Sequence, residues 1–330
     1  MMIFATMPSI GIFGRLKRDS MVKQKIAILG CTGMLGSITL NFFSKSNEYA
    51  VIATHRSKTN TGDLRSRYPD VIFRTLDAEQ NDSESIIDAI DGADWIINAI
   101  GIIKPYIRDD SAGDVERAVR VNSLFPLQLA RVAKTKGARI IHITTDCVFS
   151  GKRGKYTETD EHDVVNVYGK TKSLGEIFSD NVYNIRTSII GPERKSHKSL
   201  MDWLLNQPPG SKINGFTNHH WNGITTLHFA RICQGIIKKG LPISNVQHIV
   251  PANLTTKANL IKNLAKEFKR QDITIRDTRS PEFINRTLST NNQKLNDMIW
   301  SAAGYSKPPT IEQMIAELAK YSFASEGTSR

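Results

Sequence analysis

The segment KIAILGCTGMLG, running from Lys25 to Gly36, constrains this chain more than any other. A short apolar run ends at Gly30, further glycines follow at Gly33 and Gly36, and the helical pattern MLGSITLNFFSK begins within the same stretch. A continuous apolar run bounded by glycine predicts a strand buried on both faces, as in a parallel sheet. Glycines are needed where backbone must turn tightly, approach a pyrophosphate, or let a helix lie close on a strand. The N-terminus of the following helix then offers its N–H groups and dipole to a phosphate. A glycine triplet alone is a weak signal. Its place between a strand and a helix, in the first such unit of the chain, is what gives it meaning.

The same rhythm continues to Gly191. YAVIATHR, DVIFRTLD, ADWIINAIG, ARIIHITTD and VYNIRTSIIG read as strands. Between them lie the helical SESIIDAIDG, a long helix AVRVNSLFPLQLARVAKTKG interrupted by Pro126, and a helix carrying Tyr168 and Lys172. This alternation predicts an α/β protein, a Rossmann-type doubly wound parallel sheet with helices on both faces. Beyond Gly191 the rhythm loosens. KSLMDWLLNQ, the stretch after WNG, TTKANLIKNLAKEFKR and PPTIEQMIAELAKY read as helices, and VQHIVPA as a strand. Thr310 and Gln313 have the spacing of a capping box. The expected organisation is a cofactor-binding Rossmann domain over residues 23–191 and a smaller lobe, mainly substrate-binding, over 192–330. Segments of about 222–252 are expected to pack back on the first domain. Residues 1–22 match no targeting class, because Arg15, Lys17 and Arg18 follow the apolar part instead of preceding it. They are expected to be a disordered extension, with Met21 a candidate natural start.

Charge and cysteine usage narrow the partners. The net charge is +12 and the isoelectric point about 9.6. The basic residues are spread along the chain and form no block, which favours small phosphorylated ligands over nucleic acid. No apolar run is long enough to span a bilayer, so no membrane partner is expected. Cys31, Cys147 and Cys233 are widely spaced and form no C-x-x-C, which suits a reducing, cytoplasmic setting without structural disulfides or zinc. His219 and His220 are adjacent, and in a strand they would point to opposite faces, so no metal site is expected.

The glycine spacing is G-x-x-G-x-x-G, and it resembles that of the extended short-chain dehydrogenases/reductases. In dinucleotide-binding folds an acid at the end of the second strand binds the ribose 2′-hydroxyl of NAD. Here that position reads Thr54, His55, Arg56, Ser57. An arginine flanked by a hydroxyl suits a 2′-phosphate, so NADPH is the expected cofactor and NADH the alternative.

Tyr168 and Lys172 stand four residues apart, on one face of a helix. The superfamily pairs such a Tyr-x-x-x-Lys with a Ser or Thr at the end of the preceding strand, where Thr145 is the better match and Thr144 the lesser. A carbonyl that receives a hydride needs a proton. A tyrosine near pKa 10 is sluggish at neutral pH, and a neighbouring ammonium would lower it. The stretch TTDCVFSGKRGKYTETDEHDVVNVYGKTKSLGE, with NIRTSIIG, resembles the corresponding motifs of dTDP-4-dehydrorhamnose reductases. That resemblance, over roughly residues 24 to 260, implies catalysis by Thr145, Tyr168 and Lys172. It implies a cofactor site of Gly30, Thr32, Gly33, Met34, Leu35, Arg56, Asp77, Ala99, Gly101, Asn122, Tyr168 and Lys172. Asp146, Lys198, Trp203 and Trp221 are candidates to touch substrate.

The implied reaction is NADPH-dependent reduction of the keto group of a nucleotide-diphosphate-linked 4-keto-6-deoxysugar, in deoxysugar or polysaccharide biosynthesis. A homodimer is compatible with this reading. Cys147 departs from the family, which has a tyrosine after its T-D. It also removes the acid that 4,6-dehydratases carry there. A nucleotide-sugar epimerase on the same fold and a non-catalytic NADP-binding regulatory protein, such as the regulatory subunit of methionine adenosyltransferase, are the alternatives.

Overall fold

The computed structural model describes residues 23–56, 62–80, 82–193, 198–243 and 245–321. The extension expected over residues 1–22 and the hydroxyl of Ser57 lie outside them.

In chain order the strands of the first half are β1 (Gln24–Leu29), β2 (Tyr49–His55), β3 (Ile72–Thr75), β4 (Trp95–Asn98), β5 (Arg139–Thr144), β6 (Val182–Arg186) and β7 (Ile189–Ile190). Those of the second are β8 (Lys212–Phe216), β9 (His219–Trp221), β10 (Ile224–Thr225), β11 (Val246–His248), β12 (Thr255–Thr256), β13 (Thr274–Thr278) and β14 (Ile284–Asn285). The helices are α1 (Met34–Ser44), α2 (Gly62–Arg67), α3 (Ser83–Ile90), α4 (Ala112–Val119), α5 (Phe125–Thr135) and α6 (Val167–Leu174). They continue with α7 (Leu200–Leu205), α8 (Thr226–Lys239), α9 (Lys257–Glu267), α10 (Gln293–Ala302) and α11 (Ile311–Lys320).

Seven parallel strands form the central sheet, in the order β11-β6-β5-β4-β1-β2-β3. The order reverses between β1 and β4. A ligand crevice opens at such a switch point, beyond the carboxyl ends of the strands. Side chains alternate across the sheet, as the pleat requires. Ile26 and Ile28 of β1 enter a core with α1, α8, α10 and α11, while Ala27 and Leu29 face α3 and α5. Both faces are therefore dry, which is why these strands read as unbroken apolar runs.

Beyond Gly191 the chain divides its work. Strand β11 joins the sheet beside β6, and α8 packs on α1. The remaining strands form small sheets, β13-β8, β12-β9-β14 and β10-β7. His219 and His220 lie in β9, and the described residues hold no cluster of side chains suited to a metal ion. Among the described residues no helix is long and apolar enough to cross a membrane. At Thr310 half of the expected capping box is present, with the hydroxyl accepting from the Gln313 N–H while the Gln313 amide turns to Glu317.

The long helix expected around Pro126 is interrupted one turn earlier than the proline. Residues Arg120–Leu124 form a π-turn between α4 and α5, in which the Phe125 N–H bonds to the Arg120 carbonyl. Proline has no N–H to return to the residue four before it. The Asn122 carbonyl, which would have received that bond, lies against Gly175 at the end of α6. The proline and the π-turn thus shape the surface on which α6 rests.

Candidate active site

The first βα unit builds a cradle of backbone. Gly30 has φ +78°, in the left-handed region, and its N–H donates to the Thr54 hydroxyl at 3.1 Å. A Cβ on Gly36 would stand 2.1 Å from the Gly30 carbonyl oxygen, so helix and turn touch only because that position is glycine. Helix α1 begins at Gly33 with no side-chain cap and with no acid in its first turn. An uncapped, acid-free N-terminus beside an exposed glycine fits the pyrophosphate of a dinucleotide. Thr32 and Met34 are half-buried at this turn, and Leu35 is buried beneath it.

The other expected cofactor residues line the same edge of the sheet. Arg56 is exposed just past β2. Asp77 follows β3, half-buried, with one carboxylate oxygen accepting from the Glu79 N–H. Ala99 and Gly101 follow β4, where the Ala99 N–H reaches the Leu29 carbonyl. Asn122 differs from expectation in what its side chain does. It is buried, and its carboxamide accepts from the Ile102 N–H at 2.9 Å and donates to the Ile102 carbonyl and the Thr171 hydroxyl. It braces the loop after β4 against α6, with both ends committed to protein.

Thr145, Tyr168 and Lys172 meet at the carboxyl end of β5. Asn166 caps α6 by accepting from the Gly169 N–H, which fixes where the helix starts and so where Tyr168 points. The Thr145 hydroxyl lies in hydrogen-bonding reach of Tyr168, accepts from the Cys147 N–H and donates to Asp146 at 3.2 Å. Lys172 is buried and donates to the Ile143 carbonyl at 2.9 Å. Gly169 lets α6 approach this turn, since a Cβ there would stand 2.4 Å from the Cys147 carbonyl oxygen.

The electrostatics depart from the sequence expectation. Burial first, then the neighbouring Cys147, raises the Tyr168 pKa well above the usual tyrosine value, with Asp146 adding to the rise and only the Thr145 hydrogen bond opposing it. Burial instead pulls Lys172 itself down to about 8, against the opposing pull of Glu176. Burial likewise raises Asp146, and pushes the Cys147 thiol up to about 12.

The four substrate candidates separate. Asp146 belongs to the Thr145 turn. The Lys198 ammonium sits 4.4 Å from the Tyr106 ring centre, on the segment after β4. Trp221 donates its indole N–H to the Ser188 hydroxyl at 2.8 Å and packs on the core. Trp203 is 40% exposed on α7, in the layer that α7 forms with α9.

One residue that sequence reasoning passed over is Arg286, just after β14. Its Nε donates to the Phe149 carbonyl, and its positive charge favours the ionised forms of both Asp146 and Cys147. An arginine in the loose C-terminal part carried no local pattern. Only the fold brings it to the end of β5.

A 28% identical stretch of 152 residues matches a probable low-salt glycan biosynthesis reductase of Haloferax volcanii, covering 45% of this chain and 46% of that one. A 30% identical stretch of 165 residues matches dTDP-4-dehydrorhamnose reductase of Mycolicibacterium smegmatis, covering 49% and 43%. Methionine adenosyltransferase 2 subunit beta of Rattus norvegicus is 29% identical over 155 residues, covering 46% and 42%. The aligned stretches thus span about half of this chain and less than half of each relative.

Among solved structures, a dTDP-4-dehydrorhamnose reductase of Clostridium acetobutylicum superposes with a TM-score of 0.67 at 20% identity, over 90% of this chain and 99% of that one. A UDP-glucuronic acid 4-epimerase of Bacillus cereus gives the same TM-score at 18% identity, over 90% and 98%. These likenesses show a shared fold. The RmlD substrate binding domain model matches residues 24–322, nearly the whole of the described chain, and the protein belongs to that family.

Proposed function

We propose that this protein reduces the keto group of a nucleotide-diphosphate-linked 4-keto-6-deoxysugar with NADPH, as a dTDP-4-dehydrorhamnose reductase does. The observation that carries the reading is the meeting of Thr145, Tyr168 and Lys172 at the end of β5, on the edge of the sheet that also holds the glycine cradle. NADPH bound along that edge would supply the hydride. Gly30, Thr32, Gly33, Met34 and Leu35 would hold its pyrophosphate, Arg56 its 2′-phosphate and Asp77 its adenine. Thr145 and Tyr168 would hold the carbonyl oxygen, and Tyr168 would hand it the proton.

A tyrosine whose pKa is raised keeps its proton until a developing alkoxide, more basic still, demands it. Lys172 would hold a ribose hydroxyl and stabilise the phenolate once formed. Arg286 and the basic surface favour a substrate carrying a diphosphate.

The deciding comparison offers one keto sugar both free and nucleotide-linked, followed by NADPH absorbance. The linked sugar is expected to have the larger kcat/KM, because binding energy from the nucleotide supports turnover as well as affinity. Equal values would refute the nucleotide-sugar reading. A second reading, a non-catalytic NADP-binding regulatory protein, draws support from the match to methionine adenosyltransferase 2 subunit beta at an identity like that of the reductases. NADPH binding without turnover of any such sugar would favour it. A 4-epimerase shares the fold but would retain NAD, and Arg56 speaks against that.

A further inference from the structure

An apolar patch lies on the outer side of α4, the π-turn, α5 and α6. Helices α4 and α5 run through the π-turn with helical backbone throughout, as one rod from Ala112 to Thr135. The π-turn takes up one additional residue. Leu124 therefore stands one turn beyond Val119, and Leu127 follows one α-turn later. These three side chains are 41%, 39% and 43% exposed in that order. Leu174 and Phe178, each 68% exposed, join them from α6 and the chain just past it. Gly175 rests on the Asn122 carbonyl, which brings Leu174 beside the π-turn. Asp180 pairs with Lys134 at 2.9 Å and Asn181 donates to the Ala130 carbonyl, which brings Phe178 beside α5. Single exposed apolar residues are ordinary, but a group on adjoining turns marks an interaction surface.

The flanking charges indicate what covers it. Asp109 and Asp110 are exposed just before α4, and Arg131 and Lys136 are exposed toward the end of α5. None of these four is in an ion pair among the described residues. The other charges of the rod are matched locally. Arg108 pairs with Asp114 at 2.8 Å, Arg120 with Glu116 at 2.7 Å and Lys134 with Asp180, while Arg117 donates to the Tyr106 carbonyl. The unmatched charge is thus acidic at one end and basic at the other, with valine and leucine between. An antiparallel copy of the rod sets each end against its opposite. The register is also self-consistent. Val119 and Leu127 each lie four residues from Ser123, and Asp110 and Lys136 each lie thirteen from it. A single twofold axis at this turn therefore sets Val119 against the partner's Leu127, Asp110 near the partner's Lys136, and Leu124 against its own copy. Such self-complementarity is what a twofold interface requires. At 1.5 Å per residue the rod is about 36 Å long, and with α6 alongside it offers a face of about 700 Å², close to the roughly 800 Å² per partner of a specific interface.

We propose that this face is the interface of a homodimer, two copies of this chain related by a twofold axis at Leu124. Each copy covers the outer side of the other's α5 and α6. The pairing rests on surface shape and charge, so it stands apart from the reductase reading.

The test is the mass of the full chain in solution, by sedimentation equilibrium. At about 10 μM the parent is expected at twice 36.9 kDa. Leu124→Glu sets two carboxylates against each other at the axis and should weaken the dimer by about 100-fold or more. Because Leu124 is exposed in the single chain, this variant should keep the parent's circular dichroism. Asp110→Lys and Lys136→Asp should each weaken the dimer several-fold at low salt, and the double variant should recover, because opposite charges face each other again only when both are exchanged. Oxidised Leu124→Cys should form a disulfide-linked dimer, since the axis sets the residue against its own copy, whereas Ile72→Cys on the edge strand β3, also exposed, should not. A parent that stays monomeric at about 100 μM overturns the proposal, whether the patch then binds another protein or nothing. A dimer unmoved by Leu124→Glu overturns it as well, since the contact then lies elsewhere. A double charge variant weaker than both single ones refutes the antiparallel register.

Discussion

Replacing Gly175 by alanine tests whether α6 is held by backbone contact. A Cβ built at Gly175 would lie 1.9 Å from the Asn122 carbonyl oxygen and 3.3 Å from that of Thr171. Ordinary contact begins near 3.4 Å, so helix and π-turn would have to part by about 1.5 Å. No rotamer can relieve the clash, because the obstacle is main chain. The π-turn is itself pinned, by the Asn122 carboxamide to Ile102 and Thr171 and by the Ser123 hydroxyl to the Thr171 carbonyl at 2.7 Å. Overpacking of a tight core costs about 1–3 kcal/mol. In a chain of this size each kcal/mol lowers the melting temperature by roughly 2–4 °C. Helix α6 carries Tyr168 and Lys172, and a displacement of about 1 Å in a reacting group can cost about 100-fold in rate. Gly175→Ala is therefore expected to melt several degrees lower and to lose turnover far beyond its unfolded fraction. Calorimetry and initial rates on the same preparation decide it. A variant with parent-like melting and parent-like kcat would show that α6 tolerates the shift, and the argument from close approach would fail.

Other outcomes follow from the same geometry. Tyr168→Phe keeps the ring and removes the acidic hydroxyl, so kcat should fall by about 10²–10⁴ while NADPH binding, followed by fluorescence, stays nearly intact; retained turnover would make the hydroxyl idle. Arg56→Ala should narrow the preference for NADPH over NADH by about 1.5–3 kcal/mol, and equal affinity for both cofactors in the parent would remove the basis of the prediction. His248 is held neutral by burial and by Arg186, its pKa lowered from 6.5 to about 4, and burial lowers His162 as well. The unfolded chain therefore takes up protons first, and stability present above pH 6.5 should be lost as pH falls toward 4, by up to about 1.4 kcal/mol per pH unit for His248, with His162 adding in the same direction. A melting temperature that stays flat from pH 7 to 5 would show that these histidines are not held neutral.

The sheet was legible because burial on two faces leaves a plain mark. Strands β1, β4 and β5 show as apolar runs, and the intervening helices show as apolar stripes. Strands β8, β13 and β14 escaped notice for the opposite reason. They sit in small sheets with much of their surface exposed, so no apolar run marks them. Helix α10 was missed because its buried residues Leu295, Asn296, Ile299 and Trp300 include a polar one and start only after a polar turn. That asparagine is buried for a reason no pattern displays: it accepts from the Val250 N–H and donates to the Val250 carbonyl. In the sequence Pro126 reads as the break in its helix, whereas the π-turn lies before it and the proline instead frees a carbonyl for contact with Gly175.

At the site, spacing revealed which residues could act and not how they would be tuned. Tyr-x-x-x-Lys is a local pattern, and one helical turn brings the pair to one face. The expectation that Lys172 lowers the Tyr168 pKa assumed that the nearest charge dominates. In the fold burial dominates both residues, and it pushes them in opposite directions, the phenol up and the ammonium down. Those effects depend on what lies beyond the helix. Arg286 comes from a segment more than a hundred residues away, and the Glu176–Arg186 ion pair joins the end of α6 to β6. Each of these residues is an ordinary charge in the sequence. They acquire a role because the sheet removes water from around them, and once water is gone every charge must be matched by a partner that only the tertiary structure can bring. That requirement ties the working end of α6 to the C-terminal segment through His248, Glu158 and Thr290, so a change in that segment can alter the site without touching the residues that face the substrate.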